Sequence, residues 1–126
     1  MNELKLKFVP VDEEVKSWLS TTRNNDLDPA IFSYPTLRVL CAYDGEAEAY
    51  LPTQLVVMLE SLALKPGIDA HRYLDAIRSL VKGVTLNASS LGVKEIYFIA
   101  TDEDVLQVAL NHGFERINSP VLRMKL

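Results

Sequence analysis

Hydrophobic and polar positions along the chain repeat with two different periods, and the changes of period mark the predicted elements. Two-residue alternation in residues 4–9 predicts a first strand. Asp12 then has the position and chemistry of a helix N-cap. Beyond it, Val15, Trp18 and Leu19 follow at the three-and-four spacing of one buried helix face. The chain is therefore predicted to begin with a strand and an amphipathic helix whose core includes Trp18.

The next part of the chain is predicted to be a loop followed by an antiparallel meander. Residues 20–35 mix turn formers with a short apolar cluster and favour a loop with one helical turn. Apolar strands are then predicted at 36–43 and 46–51, joined by a hairpin turn at Asp44-Gly45. The third run, 54–65, is almost continuously apolar, which is typical of a central strand covered on both faces.

The remaining segments alternate between helix and strand. Apolar residues spaced by four and three predict a helix over 69–90, with Gly92 as its C-terminal glycine. A buried strand is predicted at 93–100. A third helix is predicted to begin at an N-capping Thr101 and to end at Gly113-Phe114.

Two short strands, 114–117 and 121–126, are predicted to close the chain on either side of Asn118-Ser119-Pro120. The pattern as a whole predicts an α+β fold with a mixed sheet. A length of 126 residues with 48% apolar and 24% charged residues suits one hydrophobic core, so a single domain over 1–126 is expected.

Charge and rare residues narrow the classes of function. With 13 basic and 17 acidic residues and a net charge of -4, no basic face for nucleic acid is expected. Cys41 is the single cysteine and is interpreted as a core thiol, while His71 and His112 lie too far apart to predict a metal site. No apolar run reaches membrane length and the N-terminus lacks a signal pattern, so a soluble, cytoplasmic protein is expected.

The turn Lys65-Pro66-Gly67, between an apolar run and a helix, is where a phosphate could bind backbone N–H groups. This turn, the Leu91-Gly92-Val93 segment, residues 109–117 and the order of elements together resemble the GNAT superfamily of acyl-CoA N-acyltransferases over nearly the whole chain. The resemblance implies the order β-α-(α)-β-β-β-α-β-α-β-β, with a central mixed sheet that splays between its fourth and fifth strands.

The resemblance also implies where an acyl-CoA would lie. The fourth strand would pair with pantetheine near Leu62 and Leu64, and the Leu62 backbone N–H would polarise the thioester carbonyl. Glu60 would be the base that deprotonates the acceptor amine. The alternative for Glu60, and the favoured one, is that it pairs with Arg38 or reaches solvent.

Three positions depart from the family's phosphate loop. Where glycines or a polar side chain are expected, this chain has Asp69, Arg72 and Leu74. As an N-cap, Asp69 would occupy the N–H groups that a pyrophosphate needs. Lys65, His71 and Arg72 could replace those contacts with positive charge, although His71 is better interpreted as an exposed first-turn residue.

The family's general acid is also missing. Its tyrosine position corresponds to Ala109, and Tyr73 and Tyr97 are better interpreted as packing residues than as substitutes. The leading hypothesis is therefore a GNAT-fold protein that uses no cofactor and has a binding or structural role, with a protein partner or self-association. Such degenerate domains occur in larger assemblies, including phage particles, where the location would be the virion. The alternative is an acetyl-CoA-dependent N-acyltransferase acting on a small amine.

Overall fold

The computed structural model describes residues 3–21 and 27–126. Within it the chain forms two compact units. Unit 1 comprises the residues up to Met58 together with Thr85–Tyr97, and unit 2 comprises Leu59–Val84 and Phe98–Leu126. Each unit is described by itself below, and the expectation of a single domain stays a prediction.

Unit 1 contains a three-stranded antiparallel sheet in the order β1-β2-β3. Its strands are β1 (Lys5–Val9), β2 (Arg38–Asp44) and β3 (Glu46–Thr53). Gly45, with φ of +75°, occupies the turn between β2 and β3, where a side chain would be strained. The first two strands of the predicted meander and its hairpin turn are therefore confirmed.

The core of unit 1 lies between this sheet and helix α1 (Glu13–Ser20). Val15 and Leu19 pack with Val39 of β2. The predicted N-cap is confirmed, since the Val15 N–H donates to Asp12 Oδ1 at 2.9 Å. The prediction that Trp18 belongs to the core is wrong, because this residue is 41% exposed. It lies at the edge of the buried helix face, where its ring meets the Tyr50 ring at an interplanar angle of 55° with centroids 4.8 Å apart.

The two faces of the sheet differ in burial because side chains alternate along each strand. Val39 and Cys41 are buried on the face that meets α1, which confirms the core thiol. Leu6, Phe8 and Leu51 are exposed, and the register places them on the opposite face. The Arg38 guanidinium lies 3.8 Å from the centre of the Phe8 ring on that face.

A short 3-10 helix, Pro29–Ser33, confirms the single helical turn predicted within the loop 20–35. Asp28 caps it, with its Oδ1 accepting from the Ala30 N–H at 3.0 Å. The part of the predicted loop at residues 22–26 lies outside the described residues.

The third run of the meander is the main correction to the predicted strands. Only β4 (Val57–Leu59) is a strand, whereas residues 60–65 have no regular structure. β4 does not join β3; it pairs with β5 (Ile96–Phe98) in a separate two-stranded parallel sheet. An apolar run shows that side chains can be buried, but a strand extends only as far as its partner's backbone does.

The two later helices agree closely with the sequence pattern. Helix α2 (Ala70–Ser90) is terminated two residues later by Gly92, whose φ is +72°, and the Val93 N–H caps the helix by donating to the Ala88 carbonyl at 3.0 Å. Helix α3 (Glu103–Asn111) is capped by Asp102 instead of the predicted Thr101. The Asp102 side chain accepts from the Asp104 N–H at 2.7 Å, which shifts the predicted start by one residue.

No strand is present in residues 114–126, so the two predicted closing strands are wrong. Phe114 is half-buried, whereas the apolar side chains further along this segment lie in solvent, with Leu122 91% and Met124 83% exposed. Alternation identifies which side chains share a face, but a strand also needs a backbone partner, and none is present for this segment among the described residues. The observed order ends at α3, and the strands form two sheets instead of one splayed sheet.

Candidate functional site

The predicted turn before α2 is present in unit 2. The Ile68 N–H donates to the Lys65 carbonyl at 3.1 Å, and Gly67 between them has φ of +75°. The chain then enters α2 directly. The geometry is that of a short turn leading into a helix N-terminus, where unpaired N–H groups and the helix dipole favour an anion.

Asp69 occupies this helix start with its own carboxylate. Its Oδ1 accepts from the Arg72 N–H at 2.9 Å. Its backbone carbonyl accepts from the Tyr73 N–H at 2.9 Å, as the first turn of the helix requires. The predicted cap is therefore confirmed, and an N–H group that a phosphate would use already has an anionic partner.

The basic residues of the turn are solvated. Lys65 and Arg72 are exposed, and the His71 side chain is 85% exposed. The His71 Nε2 lies 3.7 Å from Asp75 Oδ2, one helical turn further along. Of these bases, His71 thus has an acidic side chain beside it, and a role for Lys65, His71 and Arg72 in phosphate binding stays a prediction.

Unit 2 also contains a largely apolar cavity of about 460 Å³, which lies next to the chain segment that precedes this turn. The segment after β4 forms one wall, and inward faces of α2 and α3 with Phe98 and Phe114 form the others. The lining residues are Leu59, Glu60, Ser61, Leu62, Ala63, Ile77, Leu80, Val81, Val84, Phe98, Val105, Val108, Ala109, His112 and Phe114. The cavity therefore brings together Glu60 and Leu62 of the predicted site, but it does not include Leu64, Lys65, His71 or Arg72.

Glu60 lies at this cavity but not in the environment expected for a base in an apolar strand. It is exposed and belongs to an irregular segment. The favoured alternative, that Glu60 reaches solvent, agrees with this placement. The other alternative, a pair with Arg38, stays a prediction.

His112 is a polar residue of the cavity wall that the sequence pattern did not single out. Its Nδ1 lies 2.8 Å from the Val108 carbonyl oxygen. Because a carbonyl only accepts hydrogen bonds, Nδ1 carries a proton, and in the neutral ring Nε2 is left with its lone pair. The only signal in the sequence was its place at the C-terminal end of α3, as the C-cap residue four positions after Val108.

No tyrosine stands at the position of the family's general acid. Ala109 is buried in the cavity wall there. Tyr97 lies in unit 1, where its hydroxyl donates to Glu95 Oε1 at 2.7 Å. Hydrogen bonding to Glu95 and burial raise the pKa of Tyr97 to about 12, which agrees with a structural phenol.

Comparison of the chain with protein-family models, curated proteins and solved structures finds no match. Within residues 3–21 and 27–126, no helix is long and apolar enough to cross a membrane. Across the same residues, no group of three His, Cys, Asp or Glu side chains is arranged to hold a metal ion.

Proposed function

We propose that this chain is a GNAT-like protein whose coenzyme A site is degenerate and that it has a non-catalytic binding or structural role in a larger assembly. The hydrogen bond from the Arg72 N–H to Asp69 is the observation that carries the proposal. A pyrophosphate at the start of α2 would have to displace this carboxylate or share its N–H groups with it.

Electrostatics and chemistry support the same proposal. A phosphate approaching the turn would meet the negative charge of Asp69, whose repulsion opposes the attraction of the helix dipole. Ala109 supplies no proton for a departing thiolate. Both the binding of the cofactor and the release of its thiol therefore lack the groups on which acyl transfer depends.

The cavity in unit 2 remains a place for an apolar group. Its walls are mainly aliphatic and aromatic side chains, including the Phe98 and Phe114 rings, whose centres are 6.1 Å apart. Burial of an apolar side chain of a protein partner there would be favoured at roughly 25 cal/mol per Å² of area removed from water. A partner protein fits this role without any cofactor chemistry.

Acetyl-CoA binding measured by calorimetry tests the proposal. With the helix N-terminus occupied, we expect a dissociation constant no better than about 1 mM. The Asp69→Gly/Arg72→Gly double variant opens the backbone and should bind acetyl-CoA more tightly. Asp75→Ala, which removes an acid from the same helix but no cap, is the matched control and should leave binding unchanged. Micromolar binding by the unmodified protein would contradict the proposal.

One observation favours a second candidate, an acetyl-CoA-dependent N-acyltransferase with an atypical phosphate loop. Glu60, Leu62 and His112 line the same cavity. In that function the Leu62 N–H would stabilise the oxyanion, and Glu60 or the Nε2 of His112 would take the proton of the amine. Released coenzyme A thiol, assayed over a panel of primary amines, measures this activity.

Variants assign the groups if turnover is found. Glu60→Gln and His112→Gln should each lower kcat, because each removes a base from the cavity. Glu103→Gln, at the exposed start of α3, is the control and should keep full activity. Full turnover in Glu60→Gln would remove that carboxylate from the mechanism.

A further inference from the structure

A second cavity, of about 270 Å³, lies in unit 1 and has no part in the proposed coenzyme A site. It lies between the start of the 3-10 helix, the end of β3 and the residues leading into β5. Its polar lining residues are Asp28, Thr53, Gln54, Glu95 and Tyr97. What these side chains offer to a ligand decides what the cavity could bind.

Glu95 is a carboxylate held in place from one side. The Tyr97 hydroxyl donates to its Oε1 at 2.7 Å. Hydrogen bonding to Glu95 also raises the pKa of Tyr34, whose phenol is near the same carboxylate. A carboxylate has about four lone-pair positions, so two phenols leave acceptor capacity for a ligand. The carboxylate is therefore oriented before any ligand arrives, which reduces the entropy cost of binding.

Gln54 adds an unpaired acceptor. Its Oε1 atom is buried and has no hydrogen-bond partner among the described residues. Buried acceptors are nearly always paired, because an unpaired one loses its bonds to water without replacement. The last torsion of a glutamine side chain is soft, so a small rotation of the amide can direct this oxygen to a donor in the cavity.

The other oxygen atoms in the lining also present lone pairs. The Thr53 hydroxyl donates its proton to the Arg38 carbonyl at 2.9 Å, so towards a ligand it only accepts. Asp28 contributes a second carboxylate, of which Oδ1 accepts from the Ala30 N–H. No lysine, arginine or histidine is among the described residues that line the cavity. A ligand that suits this lining must bring N–H donors and a positive charge.

The apolar part of the lining sets the rest of the ligand. Leu27, Ile31 and Leu37 are aliphatic, and Pro52 adds a ring of the same character. An aliphatic stem can lie against these side chains while its charged end meets the oxygens, as lysine stems do on protein surfaces.

From these contacts we propose that the cavity of unit 1 binds a primary alkylammonium group, of the kind carried by a lysine side chain or a small aliphatic amine. The ammonium donates to Glu95 and Gln54 and is neutralised by Glu95 and Asp28. The aliphatic stem lies on Leu27 and Ile31. The proposal does not depend on the function proposed for unit 2.

Titration with n-butylamine, followed by two-dimensional ¹H–¹⁵N NMR at constant pH and ionic strength, tests the proposal. We expect saturable shifts at residues 28–31, 53–54 and 95–97, with a dissociation constant on the order of millimolar for so small a ligand. n-Butanol, which has the same stem without the charge, should bind at least 10-fold more weakly. Nα-acetyl-lysine amide in a parallel titration decides whether a side chain attached to a peptide backbone is also accepted.

Variants separate recognition from folding. Glu95→Gln should weaken n-butylamine binding at least 10-fold, whereas Glu48→Gln, which removes an exposed acid from β3, should not change it. Gln54→Met removes the unpaired acceptor at similar size, so it should weaken binding without lowering the melting temperature. A purely structural role of Gln54 would not separate these two readouts.

The outcomes decide the proposal in either direction. Shifts that do not saturate, or that are the same for n-butanol, would overturn it. Equal affinity in Glu95→Gln and the unmodified protein would also overturn it. If Glu95→Gln does not fold, Asp28→Asn replaces it, because asparagine keeps the cap on Ala30 but removes the charge. Unchanged binding in both Asp28→Asn and Gln54→Met would then reject the site.

Discussion

Replacement of Asp69 by alanine should destabilise the protein by removing the cap of α2. The change deletes the acceptor of the Arg72 N–H, now 2.9 Å from Asp69 Oδ1, and leaves that N–H to water. Loss of an N-cap of this kind costs about 1 kcal/mol. With an unfolding entropy of about 2.1 cal/mol/K per residue, this corresponds to a fall of about 4 °C in melting temperature for a chain of this length.

Asparagine at the same position separates the hydrogen bond from the charge. Asn caps a helix about as well as Asp, so Asp69→Asn should keep stability to within a few tenths of a kcal/mol. Asp75→Ala is the matched control on the same helix. It loses only the exposed contact with His71 at 3.7 Å, and such surface pairs contribute little.

Urea unfolding followed by far-ultraviolet circular dichroism measures the differences. The expected order of midpoints is unmodified protein and Asp69→Asn together, Asp75→Ala close to them, and Asp69→Ala lowest. The same variants can be tested for acetyl-CoA binding. Because its side chain still accepts from the helix N–H, Asp69→Asn should not show the tighter binding expected of the Asp69→Gly/Arg72→Gly variant. An Asp69→Ala midpoint equal to that of the unmodified protein would refute the cap and, with it, the reason given for the closed phosphate site.

Three further predictions concern parts of the chain outside this turn. Val39→Ala removes two methyl groups from the fully buried centre of unit 1 and should lower stability by about 2 kcal/mol in urea unfolding. Tyr97 has a folded pKa of about 12, above its ordinary value of 10. Its contribution to stability is therefore complete below pH 10 and is lost as the pH rises towards 12. Absorbance at 295 nm should show one phenol that titrates at a higher pH than the other tyrosines, and Glu95→Gln should lower the pH at which it titrates. An unchanged titration curve would contradict Glu95 as the cause of the raised pKa. Gly92→Ala, at φ of +72°, should cost about 1 kcal/mol. Gly83 is an exposed residue in the middle of α2, and a Cβ added there meets open space, so Gly83→Ala should stabilise by up to about 1 kcal/mol. Equal melting temperatures for the two variants would be inconsistent with the backbone described.

The helices and their ends could be predicted from sequence because their hydrogen bonds are local. Asp12, Asp69 and Gly92 act on backbone groups within a few residues of themselves, so the pattern that predicts them is also the chemistry that forms them. The cap of α3 was predicted at Thr101 but lies at Asp102. The prediction was wrong by one residue because both side chains are good helix caps.

Strands were predicted less well for the opposite reason. The hairpin around Gly45 was predictable because its partners are adjacent in sequence. The run 54–65 and the segment 121–126 have equally apolar patterns, but each needs a partner from elsewhere in the chain. In the tertiary structure, the run 54–65 forms only the three-residue strand β4, and the segment 121–126 forms no strand.

The sequence by itself determined the helix caps to within one residue, the buried positions Val15, Leu19 and Cys41 of unit 1, and that the start of α2 carries its own carboxylate. Only the tertiary structure decided which side chains share a cavity. His112 came to lie with Glu60, and Gln54 with Glu95, across 52 and 41 positions of sequence. No local pattern encodes such pairs, because the free energy that joins them comes from packing of distant segments and not from hydrogen bonds between neighbours.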